Sequence, residues 1–232
     1  MHRRALLAAT VSAGIARIAR AAGPATTVLE LFTSQGCSSC PPADRLLGRL
    51  VQRPGVIALA WHVDYWDRLG WRDPFSSRQA TARQQAYARN LGTEVFTPAM
   101  VVGGVRLAVG SDAADVDAAM SITPAGPVTV RLGRTLEGIT AEVGQAGQPV
   151  SALLAFHLAE HTTLIGAGEN GGRKLTGYRI VREARVLGTW NGSPRRFELP
   201  ISPLGQGTIL LVQSANLAVL GAAELPAQAG PA

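Results

Sequence analysis

Apolar positions fall into two textures along the chain, and the texture changes near residue 122. In the first stretch, short apolar runs alternate with helical periods. Thr26–Thr33 is a brief run rich in Val, Leu and Phe, which suits a buried strand, and Ser34-Gln35-Gly36 breaks it. Ala43–Val51 then takes helical spacing, with Leu46, Leu47, Leu50 and Val51 on one face and Asp44, Arg45 and Arg49 elsewhere. Pro54-Gly55 ends that helix, and Val56–Val63 is a second strand-like run. A strand, a crossover helix and a strand so close together predict a βαβ unit with parallel strands. Ser76–Leu91 lacks proline and glycine and reads as a helix, started by Asp73-Pro74 and stopped by Gly92. Thr97-Pro98 leads into Ala99–Val102, Gly103-Gly104 signals a hairpin before Val105–Val109, and Ser111 or Asp112 caps a last helix over Ala113–Met120.

Pro124, Gly126 and Pro127 form a linker to the second texture. Val128–Leu132, Ile139–Val143, Ala152–Ala159, Arg179–Val186, Arg196–Leu199 and Thr208–Ser214 read as short strands between turn residues, without a good helical period. The expectation is an α/β domain over 23–122 and a β-rich, sandwich-like domain over 127–226.

Met1–Ala22 reads as an export signal: Arg3-Arg4, the apolar Ala5–Ala16, and a small-x-small cleavage site at Ala19-Arg20-Ala21. The paired arginines followed by Leu6-Leu7 lean toward twin-arginine export. A Sec signal and an uncleaved anchor are the alternatives. No other apolar run reaches the ~18 residues that a membrane helix needs, so the mature chain is expected to have no membrane span, in the periplasm or outside the cell. The leader also changes the charge picture. It holds four of the 22 Lys and Arg residues and no acid, so the formal charge of +6 drops to +2 without it. The remaining arginines are scattered and not interleaved with aromatics, which argues against a nucleic-acid surface. With 47% hydrophobic and 16% charged residues, the composition is that of a globular protein.

The two cysteines, Cys37 and Cys40, stand where the first apolar run meets the first helix, followed by Pro41 and Pro42. Near a helix N-terminus, free N–H groups and the dipole favour a thiolate. Cys40 is three residues on, on the same helical face, so a disulfide can span one turn. In this reading Cys37 is exposed and attacks, Cys40 resolves the mixed disulfide, and Ser38 and Ser39 donate hydrogen bonds to the thiolate. The prolines place the regular helix start at Pro41 or Pro42 and the cysteines in an irregular turn ahead of it. Three readings compete. An inert structural disulfide gains little from so short a loop. A soft-metal site on Cys37, Cys40 and His62 suits Cu(I), for a chaperone or sensor, whereas zinc wants more ligands. A redox pair needs no metal and no organic cofactor, and it is the reading favoured here. After the second strand, Trp61, His62, Asp64, Tyr65, Trp66 and Asp67 either line the site or seal the sheet edge. His157 and His161 read as incidental, and Glu169, Asn170 and Arg173 as a polar loop packed against the first half.

The order strand, C-x-x-C at a helix start, strand, Thr97-Pro98 before a hairpin, and final helix resembles the thioredoxin fold. That resemblance implies an α/β thioredoxin-like domain ahead of the β-rich one, a cis-proline at Pro98 opposite the cysteines, and a substrate-aligning role for Thr97 and Pro98. ELFTSQGCSSCPPAD, WHVDYWDRLGWRDPFSS, RQQAYA, FTPAMVVGG and GENGGRKL (Gly168–Leu175) are similar to the bacterial secreted family catalogued as domain of unknown function 1223. This second resemblance implies a periplasmic protein and brings no established reaction. Two residues depart from the thioredoxin pattern. Gly36 stands where a tryptophan precedes the first cysteine. Glu30 lies seven residues before Cys37 rather than six, on the opposite strand face, and is not assigned as proton acceptor. The functional expectation is an exported thiol–disulfide oxidoreductase acting on protein or small-molecule thiols and disulfides. Cys37 and Cys40 are its catalytic pair, with Ser38, Ser39, His62, Asp64 and Trp66 lining the site. The alternatives are the Cu(I) protein and a non-catalytic binding module whose β-rich half contacts envelope partners.

Overall fold

In the computed structural model, which describes residues 26–228, the first apolar run forms β1 (Thr27–Thr33) and the second forms β2 (Val56–His62), paired in parallel from Thr27↔Val56 to Thr33↔His62. Between them α1 (Pro41–Leu50) crosses over, with Cys40 as its N-cap and Pro41 and Pro42 in its first turn, where a missing N–H costs no intrahelical bond. α2 (Arg78–Leu91) starts later than Asp73-Pro74, because the Ser77 hydroxyl caps Ala80 N; Gly92 closes the helix at φ 65°. β3 (Ala99–Val102) and β4 (Arg106–Val109) form a hairpin, with β3 antiparallel to β1. α3 (Ala113–Ser121) is capped by Asp112.

The second texture gives β5 (Val130–Arg134), β6 (Ile139–Val143), β7 (Val150–Leu164), β8 (Lys174–Trp190), β9 (Arg195–Leu199), β10 (Gln206–Gln213) and β11 (Val219–Leu225). Its strands do not close on themselves. β8 joins β2 in parallel at Ala60↔Ile180, so one eight-stranded mixed sheet runs β11-β10-β7-β8-β2-β1-β3-β4, and β5, β6 and β9 make a second sheet of three. This overturns the expected α/β thioredoxin-like domain followed by a sandwich. The fold is mostly β, with three α-helices among the described residues. The physical reason lies at the free edge of β2. The long strand β8, 17 residues and paired along its length with the 15-residue β7, meets that edge at Ala60↔Ile180. An open row of N–H and C=O groups there would otherwise need another partner.

Strand alternation sorts the core by sheet face. On one face, α1 and α3 cover β1–β4 through Leu46, Leu47, Leu50 and Val116 against Leu29, Leu31, Ala60 and Met100. Further along the sheet, the three-stranded layer packs Val130, Leu132, Ile139 and Ala141 against Leu154, Phe156, Leu210 and Val212. Another buried cluster joins the two halves of the chain, with Phe32, Leu59, Trp61 and Tyr87 beside Leu153, Ala155, Ile209 and Leu211. Each large apolar side chain of this kind contributes roughly 1.5–3 kcal/mol on burial. The expected export signal lies outside the described residues. Among those described, no helix is long and apolar enough to cross a membrane.

Candidate redox site

Residues 34–40 link β1 to α1 through a series of tight turns. Cys37 N–H donates to Ser34 O (3.2 Å) and Cys40 N–H to Cys37 O (3.3 Å). The cysteines are joined in a disulfide, with Cα atoms 5.4 Å apart. The regular helix begins just after them, as the proline pair requires.

Cys37 is not exposed, contrary to expectation. Both cysteines are fully buried, while Ser38 and Ser39 between them face solvent. Two segments close over the turn. From the loop joining β7 to β8, the buried Asn170 donates its Nδ2 to Gln35 O and Cys37 O, each at 2.9 Å, and Arg173 holds its Oδ1. The neighbouring Glu169 accepts the Ser38 N–H at 3.1 Å. The Ser38 hydroxyl and that N–H hold the Glu169 carboxyl below its ordinary range. From the loop after β2, Asp73 accepts Gln35 N–H at 2.8 Å and Trp71 Nε1 donates to Gln35 Oε1.

Of the expected site residues, Ser39, Thr97 and Trp66 gather at Cys37. Ser39 Oγ lies 3.3 Å from its sulfur, Thr97 Oγ1 donates toward it at 3.5 Å, and Trp66 Nε1 donates to Thr97 Oγ1 at 2.8 Å. The Thr97-Pro98 bond is cis. Gly36 leaves room for the tryptophan loop: a Cβ there would stand 3.1 Å from Trp66 Cβ. Asp64 turns away, accepting the Thr81 hydroxyl of α2 at 2.6 Å. His62 is buried, with Nδ1 2.6 Å from Asp73 Oδ2. Among the described residues, no group of three or more His, Cys, Asp or Glu side chains converges to hold a metal, so the Cys37, Cys40 and His62 ligand set is not assembled.

His62 belongs to a buried polar cluster whose other members, Asp44 and Asp73, escaped the sequence reading. Asp44, expected on the polar side of the helix, is buried and accepts the Thr33 hydroxyl at 3.0 Å. Burial drives its pKa up to about 6, against the pull of His62 and Thr33. For Asp73, burial acts upward but is outweighed by His62 and by the N–H groups of Gln35 and Phe75, and the pKa falls. Burial likewise opposes charge on His62, but the Asp73 and Asp44 carboxyls prevail and raise its pKa. Spacing held one clue: Asp44 is one turn after Cys40 and three residues before Leu47, hence on the apolar face. Asp73 gave no comparable signal, since an Asp before Pro reads as a helix start. Glu30 faces away from the cysteines and is buried among Arg83, Tyr87 and Trp61.

No curated protein matches the chain at a significant level. A crystal structure of an Agrobacterium tumefaciens protein is similar to it, with 30% identity and a TM-score of 0.79, over 90% of this chain and 97% of that one. A family model matches residues 28–213, which span the cysteine turn, both covering loops and the strands as far as β10, and the chain belongs to that family, described as protein of unknown function (DUF1223).

Proposed function

We propose that the protein is a thiol–disulfide oxidoreductase acting on protein or small-molecule thiols and disulfides. The observation that carries the reading is the disulfide itself: two cysteines three apart at the start of α1, with the hydroxyls of Ser39 and Thr97 at the Cys37 sulfur. A loop this short constrains little of the unfolded chain, so stability is a weak reason to keep the bond. Hydroxyl donors beside one sulfur are what a transient thiolate needs.

In this reading Cys37 is the nucleophile and Cys40 the resolving thiol. Access is from the side of Ser38 and Ser39, which are exposed above the buried pair. Thr97, with Pro98, forms the backbone edge along which a substrate segment aligns, and Trp66 fixes the Thr97 hydroxyl. A disulfide also fits an oxidising compartment, in keeping with the leader read over residues 1–22.

The test is direct. Cys37→Ser is expected to abolish insulin reduction and disulfide exchange. Cys40→Ser is expected to accumulate mixed disulfides through Cys37, visible as mass adducts that dithiothreitol removes. A wild-type protein that exchanges with neither dithiothreitol nor oxidised glutathione, under native conditions, overturns the proposal.

A further inference from the structure

The direction of electron flow depends on the backbone donors around the two sulfurs. At the start of a helix, N-cap side chains accept hydrogen bonds from the N–H of the second or third helical residue. Cys40 is the N-cap of α1, and its side chain makes no such bond. The second helical residue is Pro42, which has no N–H, and the first, Pro41, has none either. The third is Ala43, whose N–H is committed to Cys40 O at 2.9 Å; the next, that of Asp44, also goes to Cys40 O, at 3.2 Å. A thiolate at Cys40 therefore finds its usual donors absent or occupied.

The Cys37 side is depleted in part. The Ser38 N–H, next along the chain, is taken by the Glu169 carboxylate, which also sets a negative charge beside the turn. The Cys40 N–H is used by Cys37 O. Two neutral hydroxyls, Ser39 and Thr97, remain at the Cys37 sulfur. Asp44 is a buried carboxyl one turn after Cys40, and helical side chains lean toward the N-terminus, back over that turn.

Strongly oxidising pairs owe their potential to a stabilised reduced form, chiefly a stabilised thiolate. We infer that electrons leave this pair rather than enter it: the Cys37–Cys40 dithiol is a reductant of substrate disulfides, because the chain withdraws most of the backbone N–H donors that would stabilise its thiolates and leaves the Cys37 sulfur chiefly neutral hydroxyls. The inference rests on the thiol–disulfide reading above and adds its direction. In the forward step, the Cys37 thiol loses its proton and attacks one sulfur of the substrate disulfide. That S–S bond breaks, and the leaving sulfur takes up a proton. Cys40 then loses its proton and attacks Cys37 Sγ. The Cys37–substrate bond breaks, and the second substrate sulfur leaves as a thiol. Two electrons pass to the substrate, the pair ends as the disulfide, and a stronger dithiol donor must reduce it again.

The experiment equilibrates the full mature chain with graded dithiothreitol and glutathione redox buffers at pH 7 and reads the reduced fraction by alkylation and mass. The wild type is expected to stay oxidised in glutathione buffers and to be reduced across the dithiothreitol series. Glu169→Gln, at an exposed position, and Pro42→Ala are each expected to shift the equilibrium toward the dithiol, roughly two- to fivefold, by removing a charge or returning an N–H. Half-reduction by glutathione at ordinary ratios overturns the direction while leaving the exchange reading intact, and so does a shift of both variants the other way. Failure to exchange with either buffer overturns both.

Discussion

Asp44 is the residue whose burial most alters what α1 does. A carboxyl with a folded pKa of about 6, against an unfolded value of 3.8, keeps its proton in the native state over a pH range where the unfolded chain has lost it. Its contribution to stability is therefore full below pH ~4 and is lost as pH rises through about 6. At 1.36 kcal/mol per pKa unit, the difference is about 3 kcal/mol. Asp44→Asn keeps an acceptor for the Thr33 hydroxyl and removes the titration. Urea unfolding is expected to find the variant more stable than wild type at pH 8 by about 2–3 kcal/mol and nearly equal at pH 4. Equal pH dependence in both proteins would show that Asp44 is not the source. The neighbouring pair acts with opposite signs. His62, raised, favours the fold below about pH 6.5 and loses that contribution as pH rises through its folded pKa; Asp73, lowered, favours the fold above its ordinary range and loses the contribution on acidification. His62 stood out in the sequence as a candidate beside the cysteines; the burial of Asp44 and Asp73 with it did not. Burial of an acid depends on what closes over it, and the Asp73 loop comes from the far side of β2.

Among the elements, the β7–β8 hairpin carries the greatest distance between sequence pattern and structure. Its apolar portions were legible as Ala152–Ala159 and Arg179–Val186, because alternation marks a half-buried strand. The outer portions were not. Glu160↔Tyr178, Thr162↔Thr176 and Leu164↔Lys174 are paired by the backbone ladder, with little buried apolar surface to betray them. Yet these outer rungs deliver Asn170 to the cysteine turn. Gly168 and Gly172, at φ 71° and 79°, give the loop the left-handed turns that bring it back. The GENGG segment was readable as a polar loop packed against the first half, and it is; the cysteine turn as its target was not, since a hydrogen bond from Asn170 to two carbonyls so distant in the chain leaves no periodic trace. Asn170→Ala strips the donors from two buried carbonyls and is expected to cost about 2–4 kcal/mol, the lower part of the ~2–6 kcal/mol that 1–3 kcal/mol for each group left unpaired would give. In a chain of this size that is a fall in melting temperature of roughly 5–15 °C. Calorimetry checks the cost, and faster reduction by dithiothreitol would mark the loosened turn. A variant that melts with wild type would mean that water replaces the amide without penalty.

Across the whole molecule, the change of texture near residue 122 was legible, and so were β1, β2, the β3–β4 hairpin and all three helices. Which edge each strand joins was not. The bridge Ala60↔Ile180 leaves no signature in either segment, and β11, with a Gly-Ala-Ala run at its centre, has Val219 as its single β-branched residue. Side chains tie the two halves together beside that bridge. Glu30 on β1 binds Arg83 through two nitrogens at 2.5 and 2.8 Å, and Arg83 Nη2 also donates to Gln213 on β10, whose Nε2 donates to Tyr87 of α2. The apolar cluster around Trp61 and Tyr87 is shared in the same way with Leu153, Ile209 and Leu211. A fragment ending at residue 122 would expose the β2 edge and leave Arg83 and Tyr87 without Gln213. Unfolding of the whole chain is therefore expected to be one cooperative transition, and the fragment 23–122 is expected not to fold. Hydrogen exchange read segment by segment tests the first expectation: β1, β2, β7 and β10 should open with one common free energy. Circular dichroism of the fragment tests the second. Separate opening energies for β1–β4 and β7–β10, together with a fragment that melts cooperatively, would mean that the shared sheet joins two bodies that stand independently. In that case Asn170 would hold the cysteine turn as a docked partner does rather than as part of one core.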